Sequence, residues 1–75
     1  MTDDLITVFG GSGFLGQDVI RALLARGHTV RLVARHPQRP RFDRDQEKRL
    51  QRRAADIRDP RAVRDAVAGS RVVIN

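Results

Sequence analysis

Apolar positions along the chain alternate between the period of a strand and the period of a helix. Leu5-Ile6-Thr7-Val8-Phe9 is a short β-branched and aromatic run, apolar except at Thr7. It predicts a parallel strand covered on both faces. Leu15, Val19, Ile20, Leu23 and Leu24 then recur at helical spacing, predicting a helix from residue 13 or 14 to Arg26. Gln17, Asp18, Arg21 and Arg26 fall on its polar side. Asp18 near the start and Arg26 near the end suit the helix dipole, and Gly27 is placed to stop the helix in a left-handed conformation. His28 to Ala34 predicts a second strand, with Val30, Leu32 and Ala34 on one face. Strand, helix and strand in this order make a right-handed crossover with parallel strands.

The second half is more polar. Pro37-Gln38-Arg39-Pro40-Arg41 predicts a loop. Asp43 to Arg53 is highly charged, with Leu50 its one large apolar residue, and reads as a loop with partial helix in which Glu47 and Gln51 share a face. Arg53-Ala54-Ala55-Asp56-Ile57 is a weak third strand. Asp59-Pro60 has the form of an N-cap followed by a first helical residue. Val63 and Val67, with Ala62 and Ala66, give the helix a narrow apolar stripe up to Gly69. A fourth strand, Val72-Val73-Ile74, begins after Ser70 or Arg71.

Between the first strand and the first helix lies Gly10-Gly11-Ser12-Gly13-Phe14-Leu15-Gly16. A glycine-rich turn in that position is the context of dinucleotide binding. One glycine permits the sharp turn, one lets backbone approach a pyrophosphate, and one lets helix and strand pack closely. The helix N-terminus presents unpaired N–H groups to the phosphates. The competing reading is a flexible glycine loop with no ligand.

Arg35 follows the second strand, at the place where a carboxylate would bond the ribose 2′-hydroxyl of NAD(H). A guanidinium there can bind a 2′-phosphate bidentately. The implied cofactor is NADP(H), favoured over NAD(H). The plainer alternative is one more solvated arginine in an arginine-rich chain.

Val8-Phe9-Gly10-Gly11-Ser12-Gly13-Phe14-Leu15-Gly16, with glycines in the Gly10-x-x-Gly13-x-x-Gly16 register, resembles the extended and atypical short-chain dehydrogenases/reductases. Gly27-His28-x-Val30-Arg31-x-Val33-x-Arg35 is similar to their NmrA-like branch. The resemblance implies an α/β fold: the N-terminal half of a doubly wound parallel-sheet (Rossmann) dinucleotide-binding domain, β-α-β-(α)-β-α-β, over residues 1–75. It implies that Gly10 to Gly16, Phe14 and Leu15 included, hold the cofactor. It also implies that Asp56 and Ile57, which resemble the acidic-apolar pair ending the family's third strand, contact the adenine ring. Asp56 simply ending the strand is the other reading. Members are several times longer, so an N-terminal fragment is expected, with the remainder of the Rossmann and substrate domain, or a second copy, as partner for the open sheet edge. The family's Tyr-x-x-x-Lys pair has no counterpart here, since the sequence has no tyrosine, and no catalytic residue is assigned.

Composition narrows the alternatives. The chain has 75 residues, no cysteine and a formal net charge of +6, which leaves no disulfide or thiolate metal site. His28 and His36 stand alone, without partners at metal spacing. The acidic N-terminus has no signal-peptide pattern, no run is long and apolar enough to cross a bilayer, and a cytoplasmic location is expected. The basic residues are nearly all arginine, scattered among acids without aromatic interleaving or a recognised motif, so nucleic acid is not the expected partner. Three functional readings compete. The first is the NADP(H)-binding part of an oxidoreductase or epimerase. The second is a non-catalytic nucleotide-binding protein, like the accessory subunit of respiratory complex I or an NmrA-like redox sensor. The third is a basic nucleic-acid binder.

Overall fold

Four strands, β1 (Leu5–Phe9), β2 (Thr29–Ala34), β3 (Leu50–Ala54) and β4 (Val72–Ile74), form one parallel sheet in the order β3-β2-β1-β4. The structure is a computed structural model and describes residues 5–10 and 13–75, with Phe14 described through its backbone. Helices α1 (Phe14–Ala25), α2 (Arg44–Glu47) and α3 (Pro60–Val67) lie between successive strands. This all-parallel α/β arrangement is Rossmann-like. Its strand order reverses at β1, where β2 lies on one side and β4 on the other, and ligands of such sheets sit at the carboxyl ends beside that point.

The alternation of side chains along the strands sends two apolar sets to opposite faces. Ile6 and Val8 of β1 and Val30 and Leu32 of β2 pack with Ile20 and Leu24 of α1. Val33, Ala55 and Ala66 form a second cluster with Phe9 and Ala62, on the face that carries α3. β1 is covered on both sides as expected, with even Thr7 fully buried. Leu15 departs from its helical pattern: on the first turn of α1 it is 76% exposed. Asp18 sits a full turn into α1 and pairs with Arg21 at 3.1 Å.

Helix ends follow local chemistry. Gly27 (φ +90°) and Gly69 (φ +79°) take the left-handed conformation after α1 and α3. Asp59 caps α3 through its side chain, which accepts from the Arg61 N–H at 3.0 Å. Asp43 caps α2, and Gln46 returns a bond to the Asp43 N–H.

The region from 43 to 57 corrects the expectation. The helix is a single turn, Gln51 lies in a strand rather than beside Glu47 on a helix, and β3 begins at Leu50 instead of Arg53. Leu50 pairs in register with Val30 and packs against the α1 cluster. The neighbouring arginines are anchored rather than free. Arg49 donates to the Leu24 carbonyl at the end of α1. Arg52 donates to the carbonyls of Pro37 and Pro40 at 2.7 and 2.8 Å and to Glu47 at 2.6 Å. Tertiary partners therefore make a strand of a stretch whose propensity is poor. Ala55, Asp56 and Ile57 lie beyond β3.

Candidate functional site

The chain leaves each strand at the same, carboxyl end of the sheet. Gly10 follows β1, Arg35 follows β2, Ala55 follows β3 and Asn75 follows β4. Gly10 has φ +72°, a conformation that strains any residue with a Cβ. Its N–H donates to the Val33 carbonyl at 3.1 Å, and its carbonyl accepts from the Gly13 N–H at 3.1 Å. These bonds fold the chain back from β1 into α1. Gly11 and Ser12 lie outside the described residues.

Gly13 is the N-cap of α1, in ordinary extended backbone (φ −76°, ψ 167°) and with no side-chain cap. Among the described residues, a Cβ placed on it would meet nothing closer than the Gly10 carbonyl at 3.5 Å, an ordinary contact. The first turn of α1 carries no acidic residue, and a helix N-terminus presents N–H groups and the positive end of its dipole.

Two cavities meet at Phe9, Gly10 and Asn75. One, of about 370 Å³, runs along the α3 face and is lined by Val33, Arg35, His36, Ala55 and Ile57. The other, of about 430 Å³, lies under the first turn of α1 against Gly13, Leu15, Gly16 and Ile74. Together they put an apolar slot with a cation at its rim beside a helix N-terminus. Among the described residues, no hydrogen bond or ion pair holds the Arg35 guanidinium. An apolar cleft beside backbone N–H groups is a form that nucleotide sites take.

Of the residues singled out in the sequence, the structure gathers Gly10, Gly13, Leu15, Gly16, Arg35 and Ile57 around these cavities. Asp56 stands between the lining residues Ala55 and Ile57, and it is engaged. Arg58 grips both its oxygens through Nε and Nη2, and the Arg58 N–H donates to Oδ1 at 2.9 Å. Those bonds hold the Asp56 carboxyl well below the usual carboxylate range, with a smaller contribution from Arg35. Sequence reasoning passed over Arg58, His36 and Asn75. The Asp56-x-Arg58 spacing was visible, but its meaning depends on the turn that brings the two side chains together. Among the described residues there is no group of histidines and carboxylates placed to hold a metal, and no helix is long and apolar enough to cross a membrane.

A parallel α/β sheet with a glycine turn, a helix N-terminus and an apolar cleft at its switch point is a nucleotide-binding architecture. The family model for NAD(P)H-binding proteins matches residues 10–75, and the chain belongs to that family. No curated protein matches the sequence. Solved structures do. A proposed epimerase from Bacteroides thetaiotaomicron is 28% identical with a TM-score of 0.82, over 93% of this chain and 31% of its own. Uronate dehydrogenase from Agrobacterium tumefaciens is 25% identical with a TM-score of 0.75, over 97% of this chain and 26% of its own. A short-chain dehydrogenase from Leptospira borgpetersenii, solved with bound NAD+, is 25% identical with a TM-score of 0.66, over 87% of this chain and 24% of its own. The chain thus spans only 24% to 31% of the length of these proteins. A nicotinamide dinucleotide is the cofactor of this class.

Proposed function

We propose that residues 1–75 form the cofactor-binding part of an NADP(H)-preferring oxidoreductase or epimerase of the short-chain dehydrogenase/reductase superfamily. The loop from Gly10 to Gly16, including Gly11, Ser12, Phe14 and Leu15, takes the pyrophosphate. Asp56 and Ile57 flank the adenine, and Arg35 takes the 2′-phosphate. The likeness to a proposed epimerase and to two dehydrogenases supports the reaction class. The half-exposed Val72 and Val73 of the edge strand β4 are where the remainder of a longer protein would add to the sheet.

One observation carries the NADP(H) preference. Arg35 lines the cavity immediately after β2, and among the described residues no hydrogen bond or ion pair holds its guanidinium. The cofactor supplies the hydride chemistry when bound; these residues bind and orient it. Titration of NADPH and NADH against wild type and Arg35→Ala tests the assignment. The expected result is a loss of about tenfold for NADPH with little change for NADH, as befits a charge-assisted bond to phosphate. Equal affinities for the two dinucleotides, unaltered by the substitution, would overturn it.

A further inference from the structure

Asp56 and Arg35 leave neighbouring strand ends. Ala34 and Ala54 are partners in the β2–β3 register, and the Ala55 N–H donates to the Ala34 carbonyl at 2.9 Å. Arg35 is one residue past β2 and Asp56 two past β3, so a carboxylate stands close to the cation proposed to receive a phosphate. Arg35 acts electrostatically on that carboxylate, yet the two form no ion pair. Arg58 occupies the carboxylate instead: Nε lies 3.1 and 3.3 Å from its two oxygens and Nη2 lies 2.9 Å from Oδ2.

We propose that Arg58 is a specificity-determining, positioning residue for NADP(H): by engaging Asp56 it leaves Arg35 open to the 2′-phosphate. The inference rests on the assignment of Arg35 made above. Without Arg58, the Asp56 carboxylate would act against a 2′-phosphate in two ways. It would compete for the Arg35 guanidinium, and it would repel the phosphate directly. NAD(H) carries a hydroxyl at that position, so neither effect applies to it. Arg58 is exposed and Asp56 partly so, which screens the effect and limits its size.

The test compares wild type, Arg58→Gln, Arg58→Lys, Asp56→Asn, the Arg58→Gln/Asp56→Asn double variant and Arg35→Ala. For each, Kd is measured for NADPH and for NADH at low salt, and circular dichroism verifies folding. The ratio of the two constants is the readout, because adenine contacts are common to both dinucleotides. Arg58→Gln is expected to lower the preference for NADPH by about threefold to fivefold, and Arg58→Lys by less. Adding Asp56→Asn to Arg58→Gln is expected to restore the wild-type ratio. An unchanged ratio in Arg58→Gln overturns the inference. So does a lowered ratio that Asp56→Asn fails to restore, since Arg58 would then act as a cation in its own right. If Arg35→Ala leaves the ratio untouched, the Arg35 assignment itself fails. If Arg35→Ala abolishes the preference while Arg58→Gln keeps it, only the role of Arg58 falls.

Discussion

The hydroxyl of Thr7, fully buried in the middle of β1, shares a hydrogen bond with the hydroxyl of Ser70, two residues before β4. The Arg71 N–H donates to the Leu5 carbonyl at 2.9 Å beside it, so the pair fixes where the last strand joins the sheet. A buried hydroxyl left without a partner costs more than the bond itself contributes. Ser70→Ala is therefore expected to destabilise the fold by about 1–2 kcal/mol in urea denaturation. Adding Thr7→Val removes the orphaned group and should recover part of that loss. A double variant no more stable than Ser70→Ala would contradict the pairing.

Gly10 and Gly13 separate folding from binding. Gly10 is glycine because of its left-handed backbone, and Gly10→Ala should cost about 1–2 kcal/mol of stability. Gly13 has ordinary backbone, and among the described residues a Cβ on it meets only an ordinary contact, so Gly13→Ala should cost no more than about 1 kcal/mol. If the loop takes the pyrophosphate as proposed, the same methyl group would obstruct its approach to the backbone, and it should weaken NADPH and NADH alike by about tenfold. Paired denaturation and titration curves verify both halves. Undiminished binding in Gly13→Ala would remove the loop from the site.

Arg31 ties β2 to the far end of α3. Its Nη1 donates to the Ala66 and Ala68 carbonyls at 2.7 and 2.9 Å, and its Nε donates to Gln51 at 3.0 Å. A cation at a helix C-terminus satisfies orphan carbonyls and complements the dipole. Arg31→Leu keeps the stem of the side chain and removes these bonds, and a loss of about 1.5–3 kcal/mol is expected in denaturant melts. Hydrogen exchange should show the last turn of α3 opening first.

Glu47 makes stability depend on acid. Burial pushes its carboxyl pKa up, but the Phe42 N–H and the Arg52 guanidinium outweigh burial and hold it below its ordinary 4.5. As pH falls through 4.5, the unfolded chain takes up a proton that the folded chain still refuses, and stability declines until the folded group protonates too. Glu47→Gln should be less stable than wild type at neutral pH. The gap should narrow as pH drops from about 5 towards 3. A gap independent of pH would show that the carboxylate charge is not what matters at this site.

The sequence by itself determined the class of fold. β1, α1, β2, α3 and β4 fall where the apolar periods, Gly27, the Asp59-Pro60 start and Gly69 place them. The glycine run sits where a strand hands over to a helix. Those signals are local: a period, a cap or a positive φ is set by a few adjacent residues. The tertiary structure decided what depends on partners distant in the chain. β3 is a strand because Leu50 finds Val30 and the α1 cluster, and because Arg49 and Arg52 find carbonyls of other segments. Thr7 can be buried because Ser70, 63 residues later, supplies its bond. Arg35 is open at the rim of its cavity while Arg58, from the same arginine-rich sequence, is spent on Asp56. Charged side chains look alike in a sequence, and only the positions of their partners in space decide which of them are left for a ligand.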